Sequence, residues 1–534
     1  MNSTMINKKL SLTPALLIFA LMPLLPQSAA AQEAYLDLAA QAPLAVVAVP
    51  EPGAPAKLPP PVVDTDSESA IAALTPAELA AATPEQRLAM LKTLIEHSRP
   101  SMNNDGDFRQ QEIENAIYRL FESAPDAASF DNMYYHVRRL KLHGAVSYPS
   151  SIEKLADRHL AATVPGDWAG LGQYIDAVTG SRSSGRNKID FLIDSEVLPE
   201  AGAAIDAAKK SIHIEVYQLQ ADDIGWALAR KLAEKAKAGV QVRLIVDYYG
   251  SGVKKKPEIQ KLLAFLNENG AEALAHTSAR FTGSRDHRKV MVIDGSTGFT
   301  GGMNIGGHYQ VDWHDQQSFI SGPAVARLQD SFLEHWVEAG GAVHEKDRAE
   351  FYPELKEIPG GMEARVVYHR GNEDRNIKAM YLRAFHTAQK SIRVAAPYFG
   401  DPDIVDALSA AAARGVRVQV VLPALNNKKI AMQSSRSFYP QLLKAGAEVY
   451  EYQGRMAHQK VVTIDGVWSS FGSSNLDSRS LKNNDELNVA VLDAGLAGQI
   501  GRDMFDKDLP QSVRILKYKP TLMDRIAGRL YPWL

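Results

Sequence analysis

The chain has 534 residues, with 59 Lys and Arg against 62 Asp and Glu, 14 His and no cysteine; 45% of it is hydrophobic and 23% charged. That is a globular composition, which excludes wholesale disorder, collagen and coiled coil. The lack of cysteine excludes disulfides, thiolate zinc sites, iron–sulfur clusters and a cysteine nucleophile, and a net charge of -3 excludes a bulk polycation that coats nucleic acid.

In chain order, Lys8-Lys9, an apolar run from Ala15 to Leu25 and Ala29-Ala30-Ala31 predict a secretory signal over 1–31. The run is shorter than the ~20 apolar residues of a membrane span, so the mature chain is expected to be exported, periplasmic or secreted. Seven prolines between 43 and 61 predict an extended linker over 32–74. Thr75-Pro76-Ala77-Glu78 and Thr83-Pro84-Glu85-Gln86 have the form of capping boxes and open a helical domain expected over 75–185. Within it, Met133-Tyr134-Tyr135-His136 has helical spacing and is read as core.

Two later segments repeat one another. Lys210-Ser211-Ile212 and Ala238-Gly239-Val240-Gln241-Val242 correspond to Lys390-Ser391-Ile392 and Arg414-Gly415-Val416-Arg417-Val418. Strands alternating with Ala-rich helices at this spacing predict βαβ units and a largely parallel sheet. The first copy continues into His287-Arg288-Lys289 and Asp294, the second into His458-Gln459-Lys460 and Asp465. Asn304 and Asn475 each follow their histidine by 17 residues, and Asp315 and Glu486 follow it by 28. His and Lys two apart share one face of a strand. Two such pairs suit phosphoryl transfer: lysines and asparagines grip phosphate oxygens, one imidazole attacks phosphorus, and the other protonates the leaving oxygen. An acid at equal offset in both copies would hold an imidazole's tautomer.

With its duplicated His-x-Lys-x4-Asp motif, the chain resembles the phospholipase D superfamily over roughly residues 186–510. The wording around the motifs (Arg285-Asp286-His287-Arg288-Lys289, Trp313-His314-Asp315, Asn475-Leu476-Asp477-Ser478-Arg479, Asn484-Asp485-Glu486) is most similar to bacterial cardiolipin synthases. The resemblance implies an α/β fold: two phospholipase D-like lobes, 186–350 and 351–512, with mainly parallel sheets related by a pseudo-twofold and preceded by the helical domain. It implies one site between the lobes, a phosphohistidine intermediate and neither metal nor cofactor. The catalytic set is then His287, Lys289, Asp294, His458, Lys460 and Asp465, with His287 the nucleophile and His458 the acid. Asp294 and Asp465 are expected to brace the motif turns rather than touch substrate. Lys289, Asn304, Lys460, Ser473 and Asn475 would bind phosphate, while Glu486 would orient His287 and Asp315 would orient His458. Gly302 stands where many members carry the serine that Ser473 retains, so one hydroxyl contact is absent in the first lobe.

The expected substrate is phospholipid, with phosphatidylglycerol favoured, and the reaction either transfer to a second phosphatidylglycerol or hydrolysis to phosphatidic acid. A metal-independent nuclease is the alternative, disfavoured because no basic stripe with interleaved aromatics flanks the motifs. The chain is expected to be a monomer. A basic amphipathic tail over 513–534, with Leu522, Met523, Ile526 and Leu530 at helical spacing, is expected either to touch anionic membrane or to dock on the protein's own core.

Overall fold

The structure is a computed structural model describing residues 68–97, 115–124, 133, 165–179, 181–276, 284–371 and 375–530. All of these fall within the unit Pro60–Leu534. The signal expected over 1–31 lies outside the described residues, as does the linker up to residue 67. A helix, Glu68–Ala73, occupies the end of the stretch expected as linker, because Ile71 joins an apolar cluster with Leu79, Leu91, Leu120 and Phe121. Thr75 caps the next helix, Pro76–Ala81, with both hydrogen bonds of its capping box present. Met133 is buried in the same cluster; residues 134–136 lie outside the described residues. The helix Trp168–Thr179, expected in the helical domain, packs on that domain's cluster through Tyr174 and on the second lobe through another face. Leu171 and Ile175 bury against Ile377, Met380 and Phe385, and Arg365 Nε donates to Asp176 Oδ1 at 2.8 Å.

The first lobe holds β1 (Arg186–Ile193), β2 (Ser211–Val216), β3 (Gln241–Asp247), β4 (Glu272–His276), β5 (Lys289–Ile293), β6 (Thr297–Gly301), β7 (Trp313–His314) and β8 (Gln316–Ser321). The second holds β9 (Met362–His369), β10 (Ser391–Ala395), β11 (Arg417–Pro423), β12 (Glu448–Tyr452), β13 (Met456–Ala457), β14 (Val461–Ile464), β15 (Trp468–Gly472), β16 (Glu486–Leu492) and β17 (Ser512–Ile515). Except for β7 and β13, which pair with each other, these form one sheet in the order β17-β12-β11-β10-β14-β15-β16-β9-β1-β8-β6-β5-β2-β3-β4. Outward from the β9–β1 seam the two halves match over seven strands, with β17 an additional edge strand in the second, so the sequence repeat is a repeat of topology.

Pairing is mixed rather than mainly parallel. Only β2–β3–β4 and β10–β11–β12 run parallel within this sheet. The reason is local. Asp294-Gly295 and Asp465-Gly466 all have positive φ, between 52° and 67°, the geometry of a type I′ turn. Such a turn closes a tight antiparallel hairpin, β5–β6 and β14–β15. The lobes share a core in which Ile189, Val290 and Ile320 pack with Val366, Val461 and Leu487. β7 pairs in parallel with β13 across the lobes.

Candidate active site

Each lobe presents its histidine just before a central strand, His287 before β5 and His458 before β14. The His287 N–H donates to the Asp485 carbonyl at 2.9 Å, and the His458 N–H to the His314 carbonyl at 2.7 Å. Each histidine backbone is thus held by the residue preceding the other lobe's acid. In consequence His287 Nδ1 lies 3.0 Å from Glu486 Oε2, and His458 Nδ1 lies 2.6 Å from Asp315 Oδ2. A carboxylate only accepts, so Nδ1 of each ring carries the proton and Nε2 keeps its lone pair. Both imidazoles are buried. Burial, then the Lys289 and Lys460 ammoniums, hold His287 well below its ordinary pKa. His458 is pushed down to about 3, by burial first and Lys460 next.

The two lysines form a buried floor. Lys289 Nζ donates to the His287 carbonyl at 2.5 Å and Lys460 Nζ to the His458 carbonyl at 2.5 Å. Lys460 Nζ also stands 3.1 Å from His458 Nε2. Burial lowers Lys289 to about 8 and Lys460 to about 7, and Lys289 contributes to the fall at Lys460. A phosphate seated between them would relieve both the desolvation and the mutual repulsion.

Above the lysines the imidazoles open onto a cavity of about 410 Å3, which Asn304 and Asn475 also line. Asn304 Oδ1 accepts the Gln218 N–H at 3.1 Å, and its amide N–H2 faces the hydroxyl of Tyr309, another pocket residue. Tyr217 packs 4.7 Å from the His287 ring and Trp313 4.8 Å from the His458 ring. Sequence reasoning missed Tyr217 and Tyr398, both pocket residues. Each follows the Lys-Ser-Ile strand of its repeat, a correspondence that a longer alignment of the two copies exposes.

Three expected site residues lie elsewhere. Ser473 does not line the pocket; its hydroxyl donates to Glu486 Oε2 at 2.5 Å, supporting the acid that holds His287. In the first lobe a Cβ at Gly302 would come 2.3 Å from Asp315 Oδ1, so Asp315 occupies the space a serine would need. Asp294 and Asp465 sit at the far ends of β5 and β14. The Asp294 carboxylate accepts the backbone N–H groups of Lys209, Lys210 and Ser211, and that of Asp465 accepts those of Gln389, Lys390 and Ser391. Each Asp ties its hairpin turn to the start of the neighbouring strand.

Among the described residues, two overlapping sets have metal-ligating geometry: His276, His335 and Asp485, and Glu215, Asp286 and His335. They are buried outside the pocket lining. There His335 Nδ1 lies 2.5 Å from Glu215 Oε1 and 3.4 Å from Asp286 Oδ2. With Arg288 alongside, charge of both signs is already present.

Paired α/β halves that each contribute a His-x-Lys to one pocket define a phospholipase D-type domain pair. A family model described as "Cardiolipin synthase, PLD-like domain" matches residues 202–336 and 381–509. Cardiolipin synthase 2 of Bacillus cereus is 35% identical over 324 residues, 58% of this chain and 62% of that protein. A probable cardiolipin synthase of Bacillus subtilis, YwiE, is 32% identical over 346 residues, covering 62% and 68%; cardiolipin synthase 1 of Bacillus cereus is 31% identical over 365 residues, covering 65% and 71%. The chain belongs to this phospholipase D-like family, although it spans 62% of the length of the cardiolipin synthases 2 it matches. Among solved structures, a phosphatidylserine synthase of Haemophilus influenzae shares the fold. Its TM-score is 0.51 at 14% identity, over 64% of this chain and 92% of that one.

Proposed function

We propose that this protein transfers a phosphatidyl group between two phosphatidylglycerols, giving cardiolipin and glycerol. The observation that carries the reading is the crossed pairing of each histidine with the other lobe's carboxylate, above two buried lysines. In the first half-reaction His287 Nε2 attacks the donor phosphorus. The phosphorus–oxygen bond to the glycerol headgroup breaks, and the leaving oxygen takes a proton that the Lys460 ammonium, 3.1 Å from His458 Nε2, delivers through that nitrogen. In the second, an acceptor hydroxyl attacks the phosphohistidine, the phosphorus–nitrogen bond breaks, and His458 takes the hydroxyl proton. The ammonium 3.1 Å from His458 Nε2 supports His458 as the proton carrier. Both lysines donate to the backbone carbonyl of their own histidine, and Lys460 Nζ in addition stands 2.9 Å from Nδ1 and 3.1 Å from Nε2 of the His458 ring. The names of the relatives support phospholipid as the substrate class. The protein works outside the cytoplasm and rests on anionic membrane through its tail; the signal-like N-terminus and the exposed Leu522, Met523 and Ile526 beside Arg525 support this.

Pure protein incubated with labelled phosphatidylglycerol, with and without EDTA, tests the reaction. Cardiolipin and free glycerol are expected in both, and His287→Ala and His458→Ala should each abolish turnover. Phosphatidic acid as the main product would replace transfer by hydrolysis. Untouched lipid alongside cleaved DNA in a parallel incubation would sink the lipid reading.

A further inference from the structure

The cavity carries more positive charge than one phosphodiester requires. Lys289 and Lys460 already lie beneath the imidazoles, yet Arg285, Lys428 and Arg479, with Lys254 and Lys255, line the same cavity. Asp477 is the one acid among its described lining residues, and its Oδ1 accepts the Ser480 N–H as a helix cap. Aromatic rings hold two of these cations in place. The Arg285 guanidinium lies 4.5 Å from the centre of the Tyr249 ring, and Lys428 Nζ lies 5.1 Å from that of Tyr398, whose hydroxyl is fixed by Asn427. Arg285, Lys428 and Arg479 come from both lobes and line one cavity. The Lys428 ammonium is lowered first by the surrounding protein and then by the Arg479 guanidinium, Asp477 opposes this in part, Arg285 is a further cause, and Lys428 in turn helps depress His287. Asp477 offsets only part of this like charge, so a further anion among the cations is favoured.

We propose that Arg285, Lys428 and Arg479 form a second phosphate subsite, which holds the phosphodiester of an incoming anionic acceptor while the donor phosphorus lies between His287 and His458. This rests on the transferase reading above and specifies how the acceptor is chosen. The acceptor hydroxyl attacks phosphorus, its proton passes to His458, and the bond to His287 Nε2 breaks with its electron pair returning to the ring. A phosphate a few bonds from that hydroxyl, gripped by these cations, fixes the attacking oxygen in line. Water and neutral alcohols gain no such hold, so the subsite favours transfer to an anionic acceptor over hydrolysis. The recognised chemistry is a phosphate ester on an alcohol, whether on a lipid headgroup or on a soluble glycerol phosphate.

Two measurements on the full chain decide it. Titration with inorganic phosphate should show two binding events in the wild type and one in Lys428→Gln/Arg479→Gln; a single event in both, or two in both, would overturn the subsite whatever the catalytic activity. In micelles containing labelled phosphatidylglycerol as donor, the acceptors compared are unlabelled phosphatidylglycerol, glycerol 3-phosphate and glycerol. The double variant should lose at least about tenfold more in kcat/KM for the phosphatidylglycerol acceptor than for glycerol. Glycerol 3-phosphate falling in parallel assigns recognition to the phosphate alone, and its staying unaffected assigns it to the phosphate of a lipid headgroup. Equal losses for all three acceptors would refute the proposal. A wild type that binds two phosphates but consumes no phospholipid would instead refute the transferase reading.

Discussion

Lys289 and Lys460 are cations kept from water with a partial set of acceptors, and their depressed pKa values make them sensors of the pH range in which the site works. Only the protonated forms grip phosphate. Burial brings Lys460 down to about 7 and Lys289 to about 8, so the empty site sheds these charges as pH rises through that window. The expected kcat/KM therefore falls above about pH 7, approaching roughly tenfold per pH unit while one lysine titrates. Over the same interval the folded chain binds fewer protons at these lysines than the unfolded chain does, whose lysines titrate near 10.4. The two groups thus add stability as activity drops. Loss of rate without loss of secondary structure, read by circular dichroism at each pH, separates the two effects. A profile flat to pH 9 would contradict the buried, mutually repelling lysines.

At the scale of the element, the hairpin turns explain why the motif carries an aspartate that never meets substrate. Asp294 and Asp465 adopt φ of 52° and 54°, a region where Asn and Asp are among the few tolerated side chains. Each also gathers three backbone N–H groups from the start of the neighbouring strand. Asp294→Asn keeps the turn and is expected to retain most turnover. Asp294→Ala leaves three backbone N–H groups without their acceptor and strains the turn, costing about 1–3 kcal/mol in denaturant unfolding. Inactivation of a fully folded Asp294→Asn protein would make the carboxylate a participant in the chemistry after all. The motif residues were legible because the repeat doubled every spacing: 17 residues from His to Asn and 28 from His to acid in both copies. What escaped was set by neighbours distant in the chain. Whether Ser473 turns to phosphate or to Glu486 depends on packing across the β15–β16 hairpin, and the antiparallel seam depends on β9 lying beside both β16 and β1. Of the cations lining the cavity, Arg285 and Arg479 stand within the motif wording, whereas Lys428 precedes a helix far from either motif. Only the fold brings Lys428 beside Arg285.

At the scale of the whole molecule, the proposed lipid reaction requires the cavity to meet the surface from which lipid comes, and the tail offers such a contact in a form that neither expectation described alone. Ser512–Ile515 is the edge strand β17, paired antiparallel with β12, so the first residues of the presumed tail belong to the sheet. The helix Leu522–Leu530 then docks by a narrow side: Ala527 is buried and Gly528 lies against Ser437. Asp524 is tied down by the Thr521 N–H and the Tyr518 hydroxyl, both at 2.8 Å. Its larger apolar residues face outward, Leu522 being 72% and Met523 55% exposed, with Arg525 between them and Ile526. An apolar and basic face held on a docked helix suits insertion into the headgroup region of an anionic bilayer. Truncation at 513 would remove a strand and confound folding with docking. The cleaner variant is Leu522→Asp/Met523→Asp, which leaves Ala527 and the sheet intact. It should sediment several-fold less with vesicles of phosphatidylglycerol and phosphatidylcholine, with unchanged turnover on short-chain phosphatidylglycerol below its micellar concentration. The residual binding of wild type should weaken with salt as Arg525 and Arg529 are screened. Equal sedimentation of variant and wild type would leave this helix a structural cap, and the membrane contact would then have to be sought at the cavity mouth itself.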